Sequence, residues 1–134
     1  MKSGRDTARL FASKAEEDLA LAEACLTYSL PLNPACFHVQ QAVEKLLKAL
    51  LSAEEVRAPW THDLMELLDL AEIRHPELGA FRVSLAGFGP YAVDARYDEV
   101  TGITPDTLRD DLAVVSRLRA AIHALLPPEA RPCA

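Results

Sequence analysis

The stretch Cys36-Phe37-His38-Val39-Gln40-Gln41-Ala42-Val43-Glu44-Lys45-Leu46-Leu47-Lys48-Ala49-Leu50-Leu51 decides the reading of this chain. Val39, Val43, Leu46, Leu47 and Leu50 recur at helical spacing, which predicts an amphipathic helix with a buried stripe. Phe37, Gln41, Glu44 and Lys48 line up along the neighbouring stripe by the i, i+3, i+4 rule. That flank mixes an aromatic ring, an amide and both signs of charge, a composition that suits recognition better than plain solvation.

Working outward, Leu10, Ala15, Leu19, Ala22 and Leu26 repeat with helical period, while Lys14, Glu16, Glu17, Asp18 and Glu23 fall largely outside that stripe. A long first helix over residues 6 to 29 follows. Asn33 ahead of Pro34 reads as an N-cap before a proline at the first helical position, which starts the signature helix over residues 34 to 53. Thr61 reads as the next N-cap, with Asp63 in the first turn, and Leu64, Leu67, Leu68 and Ala71 form a stripe that His75-Pro76 stops. Gly79, Gly87, Gly89 and Pro90 then interrupt the pattern, leaving a short helix near Pro76 to Leu85 and a turn or two around Tyr91 to Tyr97. Thr104-Pro105-Asp106 starts a final helix over residues 104 to 126, with Leu108, Leu112, Val115, Leu118, Ile122 and Leu125 as its stripe and Pro127-Pro128 as its stop. No segment has strand period. The fold class is therefore all-α, an antiparallel up-and-down bundle of about five helices. Residues 1–126 form the domain, and 127–134 are expected to be a mobile tail with nothing to pack against.

At 134 residues the chain is long enough for one core. No apolar run approaches the roughly 20 residues of a membrane span. The polar start Met1-Lys2-Ser3-Gly4-Arg5-Asp6 lacks the apolar region of a secretory signal, so cytoplasmic residence without membrane contact is expected. Cys25, Cys36 and Cys133 are odd in number and widely spaced, which suggests neither a disulfide framework nor a zinc site. The four histidines form no His-x-x-x-His pair, and neither a metal nor a cofactor is expected. A formal charge of −6 argues against general capture of phosphate backbones, leaving room only for a local basic patch.

The run Phe37-His38, Gln40-Gln41, Glu44-Lys45 and Lys48-Ala49 resembles the second-helix signature of the HEPN domain, the "higher eukaryotes and prokaryotes nucleotide-binding" module. Thr61-His62-Asp63-Leu64 and Ala95-Arg96-Tyr97-Asp98 fall in the same family's order, so the resemblance spans residues 5 to 126. It implies a helical bundle, a homodimer, and the toxin half of a two-component module. Such a protein would bind a nucleotide, an RNA or a minimal nucleotidyltransferase partner. Many members are metal-independent ribonucleases with an Arg followed, after four to six residues, by a His. The imidazole moves a proton near neutral pH and the guanidinium holds the phosphate. Arg96 stands at the position of that Arg, but Tyr97 follows it and Thr101, Gly102 and Ile103 occupy the places a His would need. The motif is incomplete, which points away from efficient catalysis. Arg57 and His62 have the spacing but lie away from the motif position, and Arg119 and His123 are one residue too close.

Arg96 has two readings. Asp94 and Asp98 hold its guanidinium as an ion pair, or Arg96 grips phosphate in a cleft beside the second helix while Tyr97 stacks on a base or packs against a partner. Asp94, His38, Gln41, Lys45 and His62 complete the candidate set for nucleotide, RNA or partner binding. His38 and His62 also read as capping or packing residues, and Glu44 with Lys48 as an intrahelical ion pair. Three functions stay open: a binding component with little catalysis, a ribonuclease in which Tyr97 replaces the missing His, and a structural dimerisation module.

Overall fold

The computed structural model describes residues 3–92 and 102–132. Among the described residues the α-helices are α1 (Gly4–Thr27), α2 (Leu32–Ala53), α3 (Leu64–Glu72), α4 (Arg82–Ala86) and α5 (Pro105–Leu125). Short 3-10 turns occupy Pro76–Phe81, Gly89–Ala92 and Pro128–Ala130, and no strand occurs among the described residues. The all-α bundle expected from periodicity is the architecture found. No described helix is long and apolar enough to cross a membrane.

Ser3 starts α1 by accepting a hydrogen bond from the Asp6 amide while Asp6 accepts one from the Ser3 amide, a reciprocal cap that satisfies two exposed donors. A side chain on residue 4 would put its Cβ 2.5 Å from the Ser52 carbonyl oxygen, so Gly4 lets the start of α1 close onto the end of α2. The seam of α1 keeps Ala15, Leu19 and Ala22 of the expected stripe and departs from it at Leu10. It is made of Ala8, Ala12, Ala15, Leu19 and Ala22 and includes Asp18, whereas Leu10 is 44% exposed. Leucine dominates any reading of periodicity, but alanine is what allows two helix backbones to approach.

α2 is the central helix. Val39, Val43, Leu46, Leu47 and Leu50 are fully buried as its spacing predicts, and no residue from 35 to 51 is classed as exposed. Its start is two residues earlier than the sequence suggests: Pro31 is the N-cap and Asn33 lies inside the first turn, with its buried Oδ1 unpartnered among the described residues. Pro34 is tolerated there because first-turn amides have no intrahelical acceptor. α1 runs antiparallel to α2, with Gly4 beside Ser52 and Asp18 bonded to His38 and Lys45.

α3 departs from the antiparallel rule. Gln40 donates to the His62 carbonyl at its start, and Arg74, just beyond its end, donates to the Glu54 carbonyl, so α3 runs in the same direction as α2. The connection 54–63 returns along α2 to make this possible. Asp63, not Thr61, is the N-cap: its Oδ1 accepts from the Met65 amide at 2.9 Å, and Thr61 Oγ1 accepts from the Asp63 amide at 3.0 Å. Tying the His62 carbonyl to α2 keeps Thr61 and His62 out of helical geometry.

Thr104 caps α5 through the Thr107 amide, with Pro105 at the first position as expected. Leu108, Val115, Leu118 and Ile122 are buried. Beyond α5 the tail expectation fails for the described residues 127–132. Ala130 is buried, the Pro128–Ala130 turn packs on α1, and Glu129 pairs with Arg5. The two prolines stop the helix, yet they redirect the chain across α1 rather than release it.

His123 on α5 is half-buried, and its Nε2 has no hydrogen-bond partner among the described residues; Glu16 Oε1 lies 3.8 Å away. Burial lowers its pKa first, the Arg119 guanidinium lowers it further, Glu16 opposes, and Arg131 adds a small lowering. A lowered folded value means the unfolded chain takes up the proton first. Stability from this group is therefore complete above the ordinary histidine value of about 6.5 and drains as pH falls below it, by at most about 1.4 kcal/mol per pH unit. Urea titrations of wild type and His123→Leu between pH 7.5 and 5 should show the acid slope reduced in the variant; equal slopes would remove His123 from the acid response.

Candidate functional site

The polar face of α2 is built around two buried carboxylates. Asp18, from α1, accepts from His38 Nδ1 at 2.8 Å and from Lys45 Nζ at 2.6 Å. Glu44, on α2 itself, accepts from His62 Nδ1 at 2.8 Å and from Lys48 Nζ at 3.1 Å. Each acid thus holds one lysine and one imidazole. A carboxylate only accepts, so each ring carries its proton on Nδ1 and in the neutral form leaves Nε2 free as an acceptor.

Gln40 links the second group. It is fully buried, its Nε2 donates to the His62 carbonyl at 3.1 Å and to Glu44 at 3.4 Å, and its Oε1 accepts from Gln41 at 2.7 Å. Phe37 stands edge-on to His38 with ring centroids 5.5 Å apart. A polar band therefore runs from Asp18 at the α1 border to His62 at the α3 border. The His62 side chain is 73% exposed even though its carboxylate partner is buried, so the imidazole is held from below and presented outward.

Of the residues singled out from sequence, His38, Lys45, Gln41 and His62 belong to this band. Asp94, Arg96 and Tyr97 lie outside the described residues. The Glu44–Lys48 ion pair forms as its spacing predicts, but as a buried carboxylate rather than a solvated face. Asp18 and Gln40 were missed as site residues. Asp18 sits three residues after Ala15 and four before Ala22, in phase with the buried seam, and Gln40 sits in phase with Cys36 and Val43. An ionisable or amide side chain in phase with a buried stripe is the available signal, since such a group must find a partner.

The chain entering the undescribed segment is anchored at Tyr91, whose hydroxyl donates to Asp111 Oδ2 at 2.8 Å and whose ring stacks on Phe88. Burial, then its bond to Asp111, raises the Tyr91 phenol. Burial also raises the Asp111 carboxyl, against the Tyr91 bond. Burial first and Asp111 second push the Cys36 thiol up to about 11, which makes it an inert packing group. Among the described residues no group of His, Cys, Asp and Glu is arranged to hold a metal ion.

The comparison with curated proteins and that with solved structures each gave no match. The profile of the family described as HEPN domain matches residues 8–125, a span that takes in α2, its polar band and both flanking connections. That match and the all-helical bundle agree with the signature carried by Phe37, His38, Gln41, Glu44 and Lys45, and the chain belongs to the HEPN domain family.

Proposed function

We propose that this protein is a binding component, resembling the toxin half of a two-component module, that engages a nucleotide, an RNA or a minimal nucleotidyltransferase partner with little catalysis of its own. Family membership supports a nucleotide- or RNA-related role in general. The observation that carries the finer reading is the outward presentation of His62 and the half-buried Gln41 above fully partnered buried acids. The band offers donors, acceptors and a ring to a ligand while its charges are matched internally, as in a recognition surface. Homodimerisation belongs to the same proposal and rests on the resemblance together with the partly open Phe37 and Gln41. Glu44 adds nothing to it, because its partners lie within the chain.

The carboxylate-held imidazoles favour a second reading. A ring fixed through Nδ1 with Nε2 free is the arrangement a proton-transfer group needs, so weak RNA cleavage with His62 in that role is the alternative. Arg96→Ala is expected to leave the melting transition nearly unchanged and to abolish association with nucleotide, RNA or nucleotidyltransferase in calorimetric titration. Unfolding of that variant, with binding kept in a stabilised background, would make Arg96 a structural ion-pair residue. Rapid cleavage of labelled single-stranded RNA by wild type, lost in Arg96→Ala or His62→Ala, would replace the binding reading with the ribonuclease one.

A further inference from the structure

Beside the polar band, the returning 54–63 connection borders an open-sided pocket of roughly 410 Å³ against α1 and the last turns of α2. Its walls are Phe11, Lys48, Val56, Arg57, Pro59 and Trp60, an apolar lining with two cations. The volume falls within the range of small-molecule sites. Trp60 is the chain's single tryptophan and is 104% exposed, so neither face of its ring is covered. Arg57 makes no hydrogen bond or ion pair with any described residue and is itself exposed. Lys48, which also lines the pocket, gives one donor to Glu44 and has two more N–H groups.

We infer that this pocket binds a planar heteroaromatic ring carrying a phosphate, that is, a nucleoside phosphate. An uncovered indole beside an apolar recess is a stacking platform, and base-on-aromatic stacking needs no particular base. A guanidinium with no partner among the described residues can fork onto phosphate oxygens, and the lysine adds a point charge. The ring and the two cations border one cavity, so a single ligand with both chemistries satisfies all three. Lys48 also joins the pocket to the Glu44 and His62 end of the polar band. The overall charge of −6 opposes long polyanions, which favours a free mononucleotide over an extended RNA. The inference rests on the nucleotide reading above and gives it a place among the described residues.

Trp60 is its own probe. Its fluorescence should be quenched saturably by AMP, while adenosine alone and inorganic phosphate alone bind about tenfold or more weakly. Arg57→Ala should weaken AMP by about tenfold or more without changing the melting midpoint, and Trp60→Ala should do the same in calorimetric titration. A short oligoribonucleotide that quenches where AMP does not would overturn the mononucleotide assignment and give the pocket to an RNA end. Quenching unaffected by Arg57→Ala but lost in Arg96→Ala would overturn the pocket and leave the nucleotide reading standing. No saturable binding of either ligand would overturn both. A Trp60 emission that changes with protein concentration alone, together with a dimer mass by light scattering that Trp60→Ala lowers to a monomer, would show a second copy covering the indole and also overturn the pocket.

Discussion

Replacing Leu47 with alanine is expected to lower the unfolding free energy by about 2–5 kcal/mol, because it removes buried methyl groups and leaves a cavity that helices cannot fully collapse around. Leu47 is wholly buried on the helix that packs against α1, α3 and α5. The control is Leu10→Ala on α1, where the side chain is half in water and the loss should stay within about 0.5 kcal/mol. Urea denaturation of the two variants measures both values. Similar losses would mean that the phase of one helix is misplaced.

Glu44→Ala should cost about 3 kcal/mol, the lower end for breaking a buried ion pair. The variant strands the Lys48 ammonium, whose side chain is only 14% exposed, and deprives Gln40 and His62 of an acceptor. Most of the loss is the penalty of an uncompensated charge rather than the strength of the pair itself. Glu44→Ala combined with Lys48→Met should therefore be more stable than Glu44→Ala alone, since it removes the stranded charge and keeps apolar bulk. A loss below about 1 kcal/mol in the single variant would place Glu44 among hydrated surface pairs.

Much of this was legible from spacing. The α2 stripe, the α5 stripe and the Thr104-Pro105 cap follow from periodicity and capping chemistry, and the structure keeps them. The α1 seam was legible only from Ala15 onward, because Ala8 and Ala12 carry little hydrophobic signal and Leu10 outweighs them. The direction of α3 was hidden as well. It depends on where Gln40, Glu54 and Arg74 find partners, and those contacts cross connections that local pattern does not constrain. At the site, His38, Gln41 and Lys45 stood out as polar residues in a helix signature and His62 in the Thr61–Leu64 block, whereas Asp18 was hidden by the acidic residues around it.

Running α3 alongside α2 in the same direction has an electrostatic consequence. Aligned peptide dipoles place the negative ends of both helices together, an arrangement that repels on its own and that antiparallel neighbours avoid. The chain puts cationic chemistry at that corner. Arg74 donates to the carbonyl of Glu54, the residue that caps α2, and His75 bonds to the Glu54 side chain. Arg74, just beyond α3, thus sets a cation on the α2 end, and the segment carrying Trp60 is pinned at both of its own ends: by this corner on one side and by the His62 clasp on the other. Between those pins the Val56 amide bonds back to the Leu51 carbonyl of α2, and Val56 and Ala58 rest on the core, so the connection is held against the bundle while the Trp60 ring stays in water.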